Sequence, residues 1–424
     1  MNTISESFFP KISKEEYLPL FKAFAFFFFV LASWYAIRPV RNEMAVQGGI
    51  FNLPWLLLAV MVAMLVINPI YSWVVSKIQA SRVVIYTYSF FIFNLILFLM
   101  FWNFSEGNAR IWTGRAFYIW CNVYSFFVVS IFWVAIINFF NSSDAKRLFG
   151  IISAGGSLGA FFGSSVARFF STELCGNSDM SDLGPMYLIS FSIAFLTIAL
   201  FMSRGLIPDK KPNFNDDSVG GSGLEAFKNI IKEPTVRYLS IYVVLFTMLM
   251  TTSWMISLGI VESWSSDPCE RTAFFARIEQ IVTPLTLIIQ VFITSYVLRR
   301  FNIFPVLILY GFLFMLAFIG YASYPEIITV LVITVCLRLF EYALNKPTRE
   351  TIYTELKKQD RYKSTVMIDT FIARSGDVMG GWFVRSLVAS GFIVLNVAWA
   401  ALPIALLMSY VGYRISLSTK KNNG

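Results

Sequence analysis

The sequence has no histidine and only four cysteines in 424 residues. Without imidazole there is no histidine-based nucleophile triad, no imidazole proton shuttle and no ordinary zinc site. The cysteines (Cys121, Cys175, Cys269 and Cys336) form no C-x-x-C pair, which argues against a metal or redox motif. Charge is scarce as well: 14% of the residues are charged, where a soluble domain carries about 25%. Nothing that remains points to an enzyme, and no cofactor is implied.

What is present is apolar. Hydrophobic residues make up 57% of the chain and Phe alone supplies 44 of them, the balance expected of a surface that faces lipid. Crossing a bilayer takes about 20 mainly apolar residues. Runs on that scale fall near 18–37, 53–75, 83–104, 116–140, 149–170 and 184–203. Six more fall near 238–261, 273–298, 304–322, 327–344, 365–389 and 393–413. The pattern predicts an all-α polytopic membrane protein of about twelve transmembrane helices. Two six-helix halves, 1–203 and 238–424, are joined by a polar cytoplasmic loop over 204–237 that carries Pro208, Asp209, Lys210 and Lys211. The first apolar run comes after Lys11, Lys14, Glu15 and Glu16 and is long enough to span, so it reads as a retained helix rather than a cleaved signal.

The loop Lys and Arg residues divide 23 to 6 between the two sides. That bias places both termini in the cytoplasm. The net charge of +9 then reads as retained cationic loops, and nucleic acid is not an expected partner.

Lys146, Gly159 and Gly163 precede Lys363, Gly376 and Gly380 by 217 residues each. A six-plus-six repeat around a charged loop is a major-facilitator-like layout, with the substrate site near the midplane between halves. Gly155, Gly159 and Gly163 recur every four residues and so share one helix face, where small side chains permit close packing, even a sliding contact during alternating access. A phosphate-binding loop would need a strand before this segment, and none is predicted. Cys175 and Cys269 both fall on the outer side, where a disulfide or two separate thiols are both open.

Ionisable groups inside spans are costly and usually face a cavity or a partner. Arg38 and Arg41 close the first predicted helix, with Glu43 just beyond. Arg277 and Glu279 lie in the eighth, and Arg338 and Glu341, three apart on one face, in the tenth. Asp369, Arg374 and Asp377 lie in the eleventh, with Arg385 after them. The arginine fork suits phosphate or carboxylate, so the set reads as a cationic cavity. The alternatives are snorkelling at helix ends for Arg38, Arg41 and Arg385, and a structural Arg277–Glu279 pair. Trp34, Tyr35, Trp133, Trp254 and Trp264 are either surfaces for a base or sugar or interface anchors.

The run Tyr342-Ala-Leu-Asn-Lys-Pro-Thr-Arg349, with Tyr353 and Leu356 beyond it, resembles the tenth-helix motif of the nucleotide transporter family, the ATP–ADP antiporters. The likeness continues through Arg361-Tyr-Lys363, Asp369 and Arg374-Ser-Gly376-Asp377. Asp144-Ala-Lys146-Arg147-Leu-Phe149 is similar to the family's fourth-to-fifth turn, and Tyr35-Ala-Ile-Arg38-Pro-Val-Arg41-Asn-Glu43 to its first-helix corner. The resemblance implies alternating-access transport, by exchange or symport, of a small anionic substrate, chiefly a nucleotide, across a bacterial inner membrane; a monomer surrounded by lipid is the expected state. Arg41 and Arg338 stand where the family has lysines. Cys121 or Asn122 stands where it has a fourth-helix Glu, and Trp254 where it has a seventh-helix Glu. These departures point to another nucleotide or organic anion as cargo. The expected substrate contacts are Arg38, Arg41, Arg277 and Arg338. The expected coupling and gating groups are Glu279, Glu341, Arg349, Asp369, Arg374, Asp377, Lys146 and Arg147. A proton-coupled carrier of a non-nucleotide solute is the alternative.

Overall fold

The computed structural model describes residues 14–77, 80–140, 142–174, 184–204, 206, 233–294, 296–297, 300, 304–354, 367–393 and 396–422. Within them run twelve long helical segments. The first six are α1 Tyr17–Gln47, α2 Leu53–Lys77, α3 Ala80–Phe104, α4 Gly107–Phe139, α5 Ser142–Leu174 and α6 Gly184–Met202. The second six are α7 Pro234–Trp264, α8 Pro268–Ile289, α9 Phe304–Ser323, α10 Ile327–Phe340, α11 Ala373–Ala389 and α12 Asn396–Asn422. A π-helical turn, Gln290–Thr294, ends α8; another, Glu341–Asn345, carries α10 on into Lys346–Thr354; a third, Ile368–Ile372, leads into α11. Most of the expected central loop and the residue Cys175 lie outside the described residues, so the Cys175–Cys269 pairing does too.

Eleven of the helical segments are long and apolar enough to cross a membrane. In hydrocarbon no water is available to the backbone, so helices that satisfy their own N–H and C=O groups are the form these sequences take. The side-chain pattern of α9 shows the division of faces. Tyr310, Phe314, Phe318 and Tyr321 are buried, while Leu309, Phe312, Leu316 and Ile319 are exposed on the opposite side. The exception among the twelve is α11. It has 17 residues and carries Arg374, Asp377 and Arg385, and it packs between α7 and α2.

The apolar runs predict a first helix that ends near 37 and a tenth that ends near 344, and the structure extends both. α1 continues through Arg38, Pro39 and Arg41 to Gln47, and the α10 segment continues past Tyr342 to Thr354. Hydropathy sets a span's length in lipid, but a charged residue inside the bundle can stay helical if its side chain finds a polar partner. Pro39 has no N–H, so the helix loses one bond at the level of the arginines.

The glycines define the bundle's closest seams. A Cβ on Gly159 or Gly163 would strike the carbonyls of Phe28 and Ala32 on α1. A Cβ on Gly376 or Gly380 would strike those of Val244 and Met248 on α7. Thus α5 lies on α1 as α11 lies on α7, with the same four-residue step. Each seam is internal to one half, and the Gly155–Gly159–Gly163 stripe is a packing face for α1. Across the halves, α5 packs on α8, α2 on α11 and α1 on α8.

Candidate functional site

A cavity of about 340 Å³ lies between the halves, lined from α1, α2, α4, α7, α8, α10 and α11. Its cationic groups are Arg38, Arg41, Arg338 and Arg374, and its acids are Glu279 and Asp377. Of the helices that line it, α7 and α1 are the most enclosed, with 78% and 61% of their most apolar stretches buried.

Glu279 is the hub. Arg338 donates to it through both terminal nitrogens, at 2.5 and 2.8 Å. Arg38 donates to the same carboxylate at 3.2 Å. Glu279 is 2% exposed, so this triad is desolvated, where one carboxylate answers two guanidinium groups. Arg38 also lies over the ring of Tyr35 and Arg338 over that of Tyr342, at 5.2 and 5.5 Å. One arginine comes from α1 and the other from α10, so Glu279 ties one half to the other.

Arg41 differs. Its hydrogen bonds go to the amide oxygens of Asn42, at 2.8 Å, and Asn122, at 3.4 Å. Its guanidinium faces the rings of Trp34 and Tyr118. Neutral amides and ring faces orient a cation without cancelling its charge. Among the described residues no carboxylate forms an ion pair with Arg41, and its Nε, like that of Arg38, has no hydrogen-bond partner.

On the far wall Asp377 accepts from Thr251 of α7 at 3.0 Å and from Arg374 at 3.1 Å. This pair belongs to one half. Tyr118 of α4 and Trp254 of α7 lie near-parallel, with ring centroids 6.3 Å apart and planes at 20°, one ring from each half.

Several expected residues are placed elsewhere. Arg277 is exposed and lines a separate outer pocket with Arg168, Thr172 and Glu270. Residues two apart point to opposite sides of a helix, so Glu279 faces inward and Arg277 does not. The Arg277–Glu279 pair does not form. Glu341 does not meet Arg338 either. It accepts from Arg349 at 2.9 Å and from Asn345 at 2.5 Å. Glu341 opens a π-helical turn, which adds a residue to the local repeat. Arg349 also reaches Asp369 at 3.6 Å, linking α10 to the turn before α11 away from the cavity. Arg385 is held beside Phe51, Trp55 and Trp382 and donates to the Phe51 carbonyl at 3.0 Å. Lys146 and Arg147 fall in the first turns of α5; their side chains lie outside the described set.

The sequence reading missed the buried partner of Glu43. Arg271, near the start of α8, is 6% exposed and Glu43 is 1% exposed. The two form a forked ion pair across the halves. Arg271 sits at the edge of an apolar run and looks like any loop arginine; the one signal was Glu43 itself, two residues beyond Arg41 in a segment that stays helical. Thr251, Ser253, Ser257 and Thr334, which add hydroxyls to the cavity wall, carry no sequence signal that separates them from other span residues.

The sequence matches no protein-family model and no curated protein. Solved structures do match along nearly the whole chain. A nucleoside transporter, NupG, aligns with a TM-score of 0.67 at 16% identity, over 95% of this chain and 99% of that one. A bacterial homologue of the iron transporter ferroportin, in an inward-facing state, aligns with a TM-score of 0.67 at 10% identity, over 96% and 100%. A peptide transporter of the POT type aligns with a TM-score of 0.65 at 14% identity, over 96% and 99%. At such identities the likeness is one of fold, the major-facilitator-like arrangement: an all-α bundle of twelve helices in two six-helix halves.

Proposed function

We propose that the protein is a membrane transporter of a nucleotide or a related phosphorylated anion, working by alternating access. The observation that carries this reading is the convergence of Arg38, Arg41, Arg338 and Arg374 on one interhalf cavity whose described lining holds only two carboxylates. Buried guanidinium groups in excess of acids are costly in a membrane protein unless an anion offsets them during the working cycle. Arg38, Arg41 and Arg338 are the substrate contacts in this reading, and Glu279 is the coupling group. An anion that competes for Arg38 and Arg338 loosens the link that Glu279 makes between halves. The nucleotide part of the reading rests on the resemblance in α10 and α11 and on the Tyr118–Trp254 surface. Exchange or symport is the expected transport mode. The cationic loops orient both termini to the cytoplasm of a bacterial inner membrane, and the chain acts as a monomer among lipid.

A thermal-shift screen of the purified protein against nucleotides, sugar phosphates, organic acids and neutral nucleosides tests this. A ligand of the folded state raises apparent stability by mass action. Stabilisation by anions supports the reading; stabilisation by neutral or cationic solutes alone sinks it.

A second reading, a proton-coupled carrier of a non-nucleotide solute, is favoured by the buried carboxylates of Glu279 and Asp377 in the same cavity. Uptake that collapses with an uncoupler and needs no counter-anion would select it.

A further inference from the structure

The charge and shape of the cavity narrow the cargo further than "anion". We propose that it is matched to a phosphate monoester attached to a flat ring system, such as a nucleoside monophosphate, and discriminates against di- and triphosphates. This rests on the anion-carrier reading above.

Charge comes first. Four arginines against two carboxylates leave two positive charges among the described lining residues. A phosphate monoester carries about −1.5 to −2 at neutral pH, which that excess neutralises. Each further phosphate adds negative charge that the described lining does not answer.

The charge is also unevenly available. Glu279 occupies both terminal nitrogens of Arg338 and one of Arg38. Asp377 occupies Arg374. Arg41 has its bonds on neutral amide oxygens and keeps its charge. The phosphate therefore docks on Arg41, with Arg38 beside it.

Arg41 also fixes where the rest of the ligand goes. Its guanidinium lies 5.8 Å from the Tyr118 ring centroid, and Tyr118 lies near-parallel to Trp254. A flat ring one sugar away from a phosphate on Arg41 meets this aromatic surface. The volume, about 340 Å³, is at the small end of the range for small-molecule sites. Asn122 is then a specificity residue. Its amide positions Arg41, whereas a carboxylate there would cancel the charge that the phosphate needs.

The test is equilibrium binding to the full-length protein in detergent at fixed ionic strength without divalent cations. The probes are adenosine monophosphate, adenosine triphosphate, adenosine and inorganic phosphate. The monophosphate should bind at least about tenfold more tightly than each of the others. The near-isosteric variant Asn122→Asp, checked for an unchanged melting temperature without ligand, should weaken monophosphate binding by about tenfold or more. Trp254→Ala should reduce the monophosphate to the affinity of inorganic phosphate while leaving phosphate binding as it was. Triphosphate binding as tight as monophosphate binding overturns the inference and leaves the anion reading standing. Binding of adenosine without either nucleotide overturns both. If none of the four binds, the inference falls, and the wider anion screen decides the fate of the parent reading.

Discussion

Arg271 of α8 donates to both carboxylate oxygens of Glu43 on α1, at 2.8 Å through Nε and 2.5 Å through a terminal nitrogen, and so clamps one half to the other just beyond Arg41. Gln47 adds a bond to Glu43 at 3.1 Å, and the Ser265 carbonyl accepts from Arg271 at 2.8 Å. With all four groups satisfied, the pair is a latch at the Gln47 end of α1 that must break if that end of the cavity opens.

Removing one partner of this latch leaves the other buried without its counter-charge, a situation that costs about 3–5 kcal/mol. Glu43→Gln and Arg271→Gln should each lower the melting temperature in detergent clearly, and the double variant should lower it by less than the two singles together. Additive losses would show that the two side chains do not act as a pair.

Arg338→Ala should abolish uptake of the stabilising anion while the protein stays folded, because Arg38 still faces Glu279. Size-exclusion behaviour and proteoliposome uptake measured on the same preparation check this. Transport at the wild-type rate would remove Arg338 from the site.

Arg349 serves two acids of unequal burial. Glu341 is 6% exposed, while the Asp369 side chain is 41% exposed. Exposed pairs are worth about 0–1 kcal/mol, and stranding a buried acid costs several times that. Arg349→Gln should therefore destabilise the protein much more than Asp369→Asn does. Equal melting temperatures for the two variants would contradict the assignment.

Gly159→Ala and Gly376→Ala should each cost about 1–3 kcal/mol through overpacking, since each new methyl would meet a backbone carbonyl of the facing helix. Gly150→Ala is the control, with no atom within 4 Å of its Cβ, and it should be neutral or slightly stabilising. Unfolding midpoints of the three variants decide the matter.

The spans were legible in the sequence because crossing hydrocarbon demands a long apolar run, whatever the neighbours. The glycine offset of 217 residues was legible too, and the matching seams of α5 on α1 and α11 on α7 give it a physical cause. The rotation of each helix was not legible. Arg277 and Arg271 look alike in the sequence, yet one faces outward and the other is buried on Glu43, because which side of α8 faces α1 is decided by packing between distant segments. The π-helical turn at Glu341 was equally hidden. Its carbonyls at Tyr342 and Ala343 are taken up by Gln290 and Thr294 of the turn that ends α8, so two segments far apart in the chain fix it jointly. Of the span charges that the sequence marks, Arg38, Arg41, Arg338, Arg374 and Asp377 share the cavity of Glu279. Trp254, marked as an aromatic standing in an acid's place, is on its wall as well.

The central claim is that an anion binds this cavity through a guanidinium group the protein leaves uncancelled. The most direct measurement is ligand-induced thermal stabilisation of the wild type and of Arg41→Gln, side by side, across the same set of anionic and neutral solutes. The account predicts anion-specific stabilisation in the wild type that is lost in Arg41→Gln, with the ligand-free melting temperature little changed. Anion stabilisation that survives intact in Arg41→Gln, or a wild type stabilised only by neutral solutes, would contradict it.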